Sequence, residues 1–190
     1  MTGRHKFGKY RIVISAIVLV FRAFPQVVLE SMWPVTNVFH GGLGNLLRYA
    51  IARNLAKRCG SCVYFGHNVT IRHWSGLQLG SNVSVHANCW IDASGEIDIG
   101  DDVSIAHCSS ILSTDHSWLL PDIPIKYNPT VFGKVVISND VWIGCGCRIL
   151  AGVELERRTV VAAGAVVTKS FPGGVVIGGC PARVIKDISA

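Results

Sequence analysis

The chain has 190 residues, of which 49% are hydrophobic and only 16% are charged, and it contains 20 glycines. This composition excludes a disordered chain and is typical of a single domain with many tight turns. The formal net charge is +6, and the positive charge gathers in residues 1–58, where nine Lys or Arg side chains accompany one carboxylate, Glu30. No nucleic-acid-reading motif accompanies this basic segment, so an anionic lipid surface or a cofactor phosphate is the favoured partner and nucleic acid is not.

The N-terminal segment, residues 1–58, is predicted to be helical and to lie outside the main domain. Ile12 to Phe21 form an almost unbroken apolar run behind a basic start. The run is about half the length that spans a bilayer, Arg22 and Pro25 interrupt its extension, and no small-residue cleavage site follows it. We expect a helix that docks on the domain, on a neighbouring subunit or in a membrane interface, and the sequence leaves these three open.

The seven cysteines are an odd number, and some of them occupy positions where any small apolar side chain would serve. They are predicted to be reduced thiols of a cytosolic protein. The Cys59-x-x-Cys62 pair is not followed by a second CxxC or CxxH, so we predict no zinc site there.

A six-residue repeat dominates the chain from Val135 onward. An aliphatic residue heads each block, and a small or branched residue follows four places later. The heads are Ile137, Ile143, Ile149, Leu155, Val161 and Val167, and the second positions are Val141, Cys147, Val153, Thr159 and Ala165. Two inward positions in six are not a helical period. Hexapeptide periodicity is typical of the parallel β-helix, so residues 59–188 are predicted to form an all-β, left-handed parallel β-helix.

The same six-residue repeat begins at Phe65, and the places where its spacing is longer than six residues fall at one corner of the predicted coil. Two steps of eight residues occur there, from Ile71 to Leu79 and from Ile91 to Ile99, and the next visit to this corner is a gap of 25 residues, 112–136. A long excursion from a compact domain is usually functional, although it could simply cover a coil edge. The sequence therefore predicts a protruding loop at residues 112–136.

His116 lies at the start of this loop, among polar residues. A lone histidine is more often a surface or capping residue. Transfer of an acyl group from a thioester to a hydroxyl, however, needs a base with a pKa near neutrality, and imidazole meets that need.

Three motifs carry a resemblance to a known family. Residues 136–144 (VISNDVWIG), 160–169 (VVAAGAVVTK) and 179–186 (GCPARVIK) resemble the hexapeptide-repeat acyltransferases, above all their maltose, galactoside and polysaccharide O-acetyltransferase branch. The resemblance covers residues 60–188. It implies an O-acetyltransferase that uses acetyl-CoA, acts on a sugar or glycan and works as a homotrimer, with His116 as the catalytic base.

The resemblance also implies residues that bind the acceptor. Asn88 and Asp92 would position it, and Trp142 would lie beside the active site and the pantetheine arm. Asp92 could equally be a corner residue that bonds its own backbone, and Trp142 could be a packing residue.

The cofactor contacts implied by the resemblance lie nearer the C-terminus. They are Cys145, whose backbone amide would lie near the thioester, then Ala163, Thr168 and Lys169, and finally Arg183 and Lys186 near the adenosine phosphates. The family's common serine is cysteine at position 145, so a side-chain hydroxyl is missing there. Cations suit phosphates, although each of these charges could be an ordinary surface residue.

The same scaffold supports other functions. A γ-type carbonic anhydrase needs three converging histidines, but Ala87 stands between His67 and His107, so no metal is predicted. A xenobiotic acetyltransferase of the streptogramin type and a non-catalytic scaffold stay open. The basic, apolar N-terminus favours a sugar or polysaccharide acceptor, and we expect a cytoplasmic enzyme, with peripheral contact to the inner face of the membrane left open.

Overall fold

The computed structural model describes residues 10–189, in which three helices precede a stack of short strands. The helices are α1 (Arg11–Phe21), α2 (Gln26–Val35) and α3 (Gly41–Leu55), and a 3-10 turn at Thr36–Val38 follows α2. The predicted helix is thus α1. Among the described residues, no helix is long and apolar enough to cross a bilayer.

The strands are two to six residues long, as expected when the chain turns a corner after each one. Within residues 10–189 they are β1 (Arg58–Cys59), β2 (Tyr64–Phe65), β3 (Thr70–Arg72), β4 (Leu77–Leu79), β5 (Ser84–Val85), β6 (Trp90–Asp92), β7 (Ile97–Ile99), β8 (Ser104–Ile105), β9 (Ser110–Leu112), β10 (Thr114–His116), β11 (Thr130–Phe132), β12 (Val135–Ile137), β13 (Trp142–Ile143), β14 (Arg148–Ile149), β15 (Glu154–Leu155), β16 (Val160–Val161), β17 (Val166–Val167), β18 (Val175–Gly179) and β19 (Ala182–Asp187).

Successive strands go in turn to three parallel sheets, which are the sides of a prism. Sheet A contains β1, β4, β7, β12 and β15; sheet B contains β2, β5, β8, β13, β16 and β18, with β19 added antiparallel at its end; and sheet C contains β3, β6, β9, β14 and β17. Block heads face block heads in the register: Phe65 pairs with Val85, and Ile143 with Val161. The predicted β-helix is therefore confirmed, and its coils form what we call the wall.

The inward positions of the repeat form the core of the wall. All six block heads from Ile137 to Val167 are at most 1% exposed, and the five second positions are at most 2% exposed. Each aliphatic side chain buried in this way stabilises the fold by about 1.5–3 kcal/mol. The repeat thus specifies the wall by the burial of two residues in six.

Left-handed backbone recurs at the corner between sheets B and C, the B–C corner. Asn68, Asn88, Cys108, Gly146 and Gly164 occupy the same turn position in successive coils, with φ between 54° and 74°. Asn and Gly adopt this conformation at lower cost than other residues. The identity of Asn88 therefore has a backbone explanation, whatever else it does.

The chain leaves the wall at the predicted corner, which lies between sheets C and A, the C–A corner. Leu112 still belongs to β9 and Val135 begins β12, so the excursion covers residues 113–134, slightly less than the predicted 112–136. β10 and β11 pair antiparallel within it, with His116 opposite Thr130. We call residues 113–134 the arm.

Helices α2 and α3 pack on the first coils, and α1 packs on α3. Arg48 of α3 is only 2% exposed, and its guanidinium donates hydrogen bonds to the carbonyl oxygens of Phe65 (2.8 Å) and Thr36 (2.9 Å). Burial lowers the pKa of Arg48. Trp33 of α2 donates from Nε1 to the carbonyl oxygen of Val69 (2.7 Å). The helical segment and the wall therefore share one continuous core.

Candidate functional site

The arm is anchored to the wall through Ser113, which is fully buried. Its hydroxyl donates to the carbonyl oxygen of Asp92 (2.7 Å) and accepts from the backbone N–H of Gly95 (2.8 Å). A Cβ on Gly95 would lie 2.2 Å from the carbonyl oxygen of Ser113, so only glycine fits this close approach. The first residue of the arm is thus fixed to the corner of the preceding coil.

The outer part of the arm is closed by Asn128, a buried residue. Its Oδ1 accepts from the backbone N–H of Leu120 (3.0 Å), and its Nδ2 donates to the carbonyl oxygens of Leu120 (3.2 Å) and Ile123 (3.3 Å). Residues 120–128 contain two prolines and form no strand pairing, so the hydrogen bonds of the Asn128 side chain hold this segment together.

His116 is the last residue of β10 and is exposed to solvent. Its backbone N–H donates to Oδ1 of Asp115 (2.8 Å), so this neighbouring carboxylate caps the backbone. Among residues 10–189 the imidazole of His116 has no hydrogen-bonded carboxylate. The ring is therefore free to meet a substrate, and no residue of the described chain orients it.

Asp92 is part of a cluster that sequence reasoning missed. Its Oδ1 lies 3.1 Å from Nδ1 of His73, and the hydroxyl of Ser94 contacts both groups. Burial opposes ionisation of Asp92, but hydrogen bonds from Ser94 and His73 outweigh it and lower the pKa of the carboxyl. Ser94 and Asp92 meet the same ring nitrogen, which differs from a Ser-His-Asp triad, where they meet opposite nitrogens. The cluster holds an ionised carboxylate one coil before the arm.

Three of the predicted residues lie at the B–C corner. The N–H of Gly164 donates to the carbonyl oxygen of Cys145 (2.8 Å), which places Ala163 directly after Cys145 in the stack, whereas Asn88 lies in the neighbouring column, which contains Gly146 and Gly164. The backbone N–H groups of Cys145 and Ala163 have no acceptor within residues 10–189. They are donors available to a ligand.

Trp142 and the two C-terminal cations lie on sheet B. Trp142 is 56% exposed, between Ser104 and Val160 on the outer surface. Arg183 and Lys186 are exposed on β19, where Arg183 pairs with Gly178 near the B–C corner.

Thr168 and Lys169 lie elsewhere, directly after β17 and on the approach to the C–A corner. Both are exposed, and Nζ of Lys169 is 5.7 Å from the centre of the Phe171 ring.

The predicted site residues therefore occupy two edges of the prism. His116, Asp92, Thr168 and Lys169 belong to the C–A corner, whereas Asn88, Cys145 and Ala163 belong to the B–C corner. Strand β6 separates Asn88 from Asp92, a distance of about 13 Å at 3.3 Å per residue. A single chain does not bring the two groups together.

The candidate metal ligands His67 and His107 lie in the column of Cys145. His67, Ala87 and His107 stack at the B–C corner, since the N–H of Asn88 donates to His67 and that of Cys108 to Ala87. No group of three His, Cys, Asp or Glu side chains that could hold a metal ion occurs in residues 10–189.

The sequence matches a family model and a curated relative. Residues 134–169 match the model of the bacterial transferase hexapeptide (six repeats). Over 132 residues the chain is 32% identical to the galactoside O-acetyltransferase of Escherichia coli (strain K12), a match that covers 67% of this chain and 59% of that protein. The chain thus spans less than two thirds of this relative's length.

Two solved structures are similar over most of the chain. A hexapeptide-repeat acetyltransferase of Vibrio cholerae O1 biovar eltor, complexed with acetyl coenzyme A, has a TM-score of 0.76 and 25% identity and covers 87% of this chain and 86% of its own. A galactoside acetyltransferase in complex with coenzyme A has a TM-score of 0.76 and 26% identity and covers 93% of this chain and 82% of its own. In its repeat, its fold and its sequence, the chain is therefore similar to the hexapeptide-repeat acyltransferases.

Proposed function

We propose that this protein is an O-acetyltransferase that moves the acetyl group of acetyl-CoA to a hydroxyl of a sugar or glycan, with His116 as general base. The observation that carries the proposal is the unengaged imidazole of His116 on an arm rooted in a rigid wall. The names of the relatives, a galactoside O-acetyltransferase and an acetyltransferase complexed with acetyl-CoA, support the reaction class.

In the proposed reaction His116 removes the proton of the acceptor hydroxyl as its oxygen attacks the thioester carbonyl. The C–S bond then breaks, and the imidazolium returns the proton to the thiolate that leaves. General base catalysis of this kind contributes a rate factor of roughly 100 to 10,000. Asp92, held ionised by Ser94 and His73, would accept a hydrogen bond from another acceptor hydroxyl and so fix its position.

The B–C corner is the proposed position of the cofactor. The unpaired N–H groups of Cys145 and Ala163 would donate to the thioester oxygen and the pantetheine amides, and Trp142 would cover the pantetheine arm. A preorganised donor at the thioester oxygen stabilises the oxyanion that forms there. Arg183 and Lys186 are exposed cations that suit the adenosine phosphates, and Thr168 and Lys169 would contact the cofactor from the other edge.

We propose a homotrimer because the two groups of site residues lie on different edges of one chain. A neighbouring subunit can place its B–C corner against the arm of the first, and the site then forms between them. The arm also presents apolar side chains to solvent, which a subunit interface would bury. They are Trp118, Leu119, Tyr127, Val131 and Phe132.

A CoA-release screen tests the proposal. The full chain is incubated with acetyl-CoA and a panel of sugars and oligosaccharides, free thiol is measured, and products are identified by mass. We expect release with a carbohydrate acceptor and a product that carries one added acetyl group, at the same rate for His40→Ala, an exposed histidine that directly precedes α3. Release with a small-molecule drug alone would indicate a xenobiotic acetyltransferase, and neither release nor CoA binding would indicate a scaffold.

A further inference from the structure

Helix α1 is apolar on two faces, and only one of them is covered. Ile14, Ile17 and Val18 pack against the core. Ile12 (86% exposed), Leu19 (66%) and Val20 (62%) point outward. Residues 12, 13, 19 and 20 fall within about 120° of one another at 100° per residue, so they form one stripe. We call Ile12, Val13, Leu19 and Val20 the outer stripe.

The outer stripe borders a cavity of about 960 Å³ between the three helices and the edge of the first two coils. Leu19 belongs to both surfaces, and Phe24 adds a further apolar wall. The polar lining is positively charged, since Arg11, Arg22 and Arg53 all face the cavity and no carboxylate of the described residues lines it. An apolar stripe beside a cationic cavity is a surface for an anionic amphiphile.

Among residues 10–189 no carboxylate balances the charge of the three arginines. Arg53 donates to the carbonyl oxygen of Cys59. Within residues 10–189, Arg11 and Arg22 form no ion pair. Glu30, the single acidic residue of the first 58, accepts a hydrogen bond from Gln26 and is not part of the cavity lining. The cavity thus has an unbalanced positive charge.

We propose that α1 seats this protein on an anionic phospholipid bilayer, with the outer stripe among the acyl chains and a lipid phosphate in the cavity at Arg11 and Arg22. At 11 residues α1 is too short to span a bilayer, which requires about 20, so it lies in the plane of the interface. A second copy of the chain is a poorer occupant because its own arginines would repel these. The inference is independent of the proposed acetyl transfer.

Sedimentation of the full chain with vesicles tests this surface. We expect binding to vesicles of phosphatidylcholine mixed with phosphatidylglycerol and little binding to phosphatidylcholine alone. Arg11→Gln with Arg22→Gln should weaken binding about 25-fold, since each cation near an anionic surface contributes about fivefold. Arg157→Gln, which removes an exposed charge on the distant wall, should change nothing.

The stripe is tested separately with Ile12→Ser combined with Leu19→Ser. Vesicle binding should fall by at least about tenfold, because two side chains lose their transfer into the lipid. Ile185→Ser, a matched exposed residue of β19, should bind like the parent. Circular dichroism and CoA release with a soluble acceptor check that the variants are folded and active.

Three outcomes would overturn the inference. The first is a parent chain that does not bind anionic vesicles. The second is a stripe variant whose oligomer dissociates in light scattering while vesicle binding persists, which would assign the stripe to a subunit interface. The third is binding of inorganic phosphate without binding of vesicles, which would make the cavity a site for small anions only. A parent chain that binds anionic vesicles but releases no CoA with any acceptor would contradict the acetyl-transfer proposal and leave the membrane proposal intact.

Discussion

The wall and the arm are ordered by different forces. In the wall every coil repeats the same burial of two residues in six and the same backbone ladder between parallel strands. In the arm most side chains are exposed, and order comes from Ser113 at its base, Asn128 within it and the short pairing of β10 with β11. Loops held on a rigid scaffold tolerate the chemistry of a site because the core does not depend on them.

The largest expected effect is a difference in the free energy of unfolding between a buried residue of the wall and an exposed residue of the arm. Ile105 is fully buried in the wall, whereas Ile125 in the arm is 64% exposed. Ile105→Ala should lower the free energy of unfolding by about 2–5 kcal/mol, because it leaves a cavity. Ile125→Ala should change it by less than about 0.5 kcal/mol. Denaturant titration measures both, and equal losses would contradict the distinction.

A smaller effect should appear in alkali and involve the start of the wall. Burial raises the pKa of the Cys59 thiol to about 12. Burial, and the negative charge that Cys59 would carry, raise the pKa of Tyr49 to about 12. Both groups are neutral acids whose pKa is higher in the folded chain, so their stabilisation is complete below the unfolded pKa, 9.0 for Cys and 10.0 for Tyr, and is lost as pH rises towards 12.

Thermal unfolding measured from pH 8 upward checks this sign. Stability should fall by roughly 1 kcal/mol per pH unit for each ionising group. Cys59→Ala combined with Tyr49→Phe should flatten the alkaline limb, and a stability that rises with pH in this range would show that the assignment is wrong.

The smallest global effect is expected in the arm itself. Asn128→Ala removes hydrogen bonds that stay within residues 120–128, so the free energy of unfolding should change by no more than about 1 kcal/mol. Cleavage of the arm by dilute protease should nevertheless become roughly tenfold faster, because local opening no longer breaks these bonds. Asn139→Ala, which removes a side-chain hydrogen bond at a corner of the wall, should not accelerate cleavage of the arm.

The sequence predicts the wall well because a repeat is a local signal. The phase from Phe65 onward gives the strand register, and the corner at which the chain leaves the wall follows from the two steps of eight residues before it. The arm bounds were slightly too wide because Leu112 and Val135 keep the strand geometry of their neighbours. The burial of Arg48 cannot be predicted from the repeat, because its hydrogen-bond partners lie 12 and 17 residues away in the sequence.

The candidate site was predictable in part. Cys145 and Ala163 each lie two residues after a block head, which places them in one column at the B–C corner. The six-residue repeat is therefore enough to predict that the site residues are divided between two edges. The contact of His73 with Asp92 was missed because it joins residues 19 apart across two coils, and it depends on the left-handed backbone at His73. The roles of all these residues stay predictions.

The most direct test of the account is the turnover of His116→Ala beside the parent and His40→Ala. Removal of the base should lower acetyl transfer by a factor of about 100 or more while CoA binding, measured by calorimetry, stays at the parent value. Parent-like turnover in His116→Ala would remove the imidazole from the reaction and with it the assignment of the arm as the catalytic element.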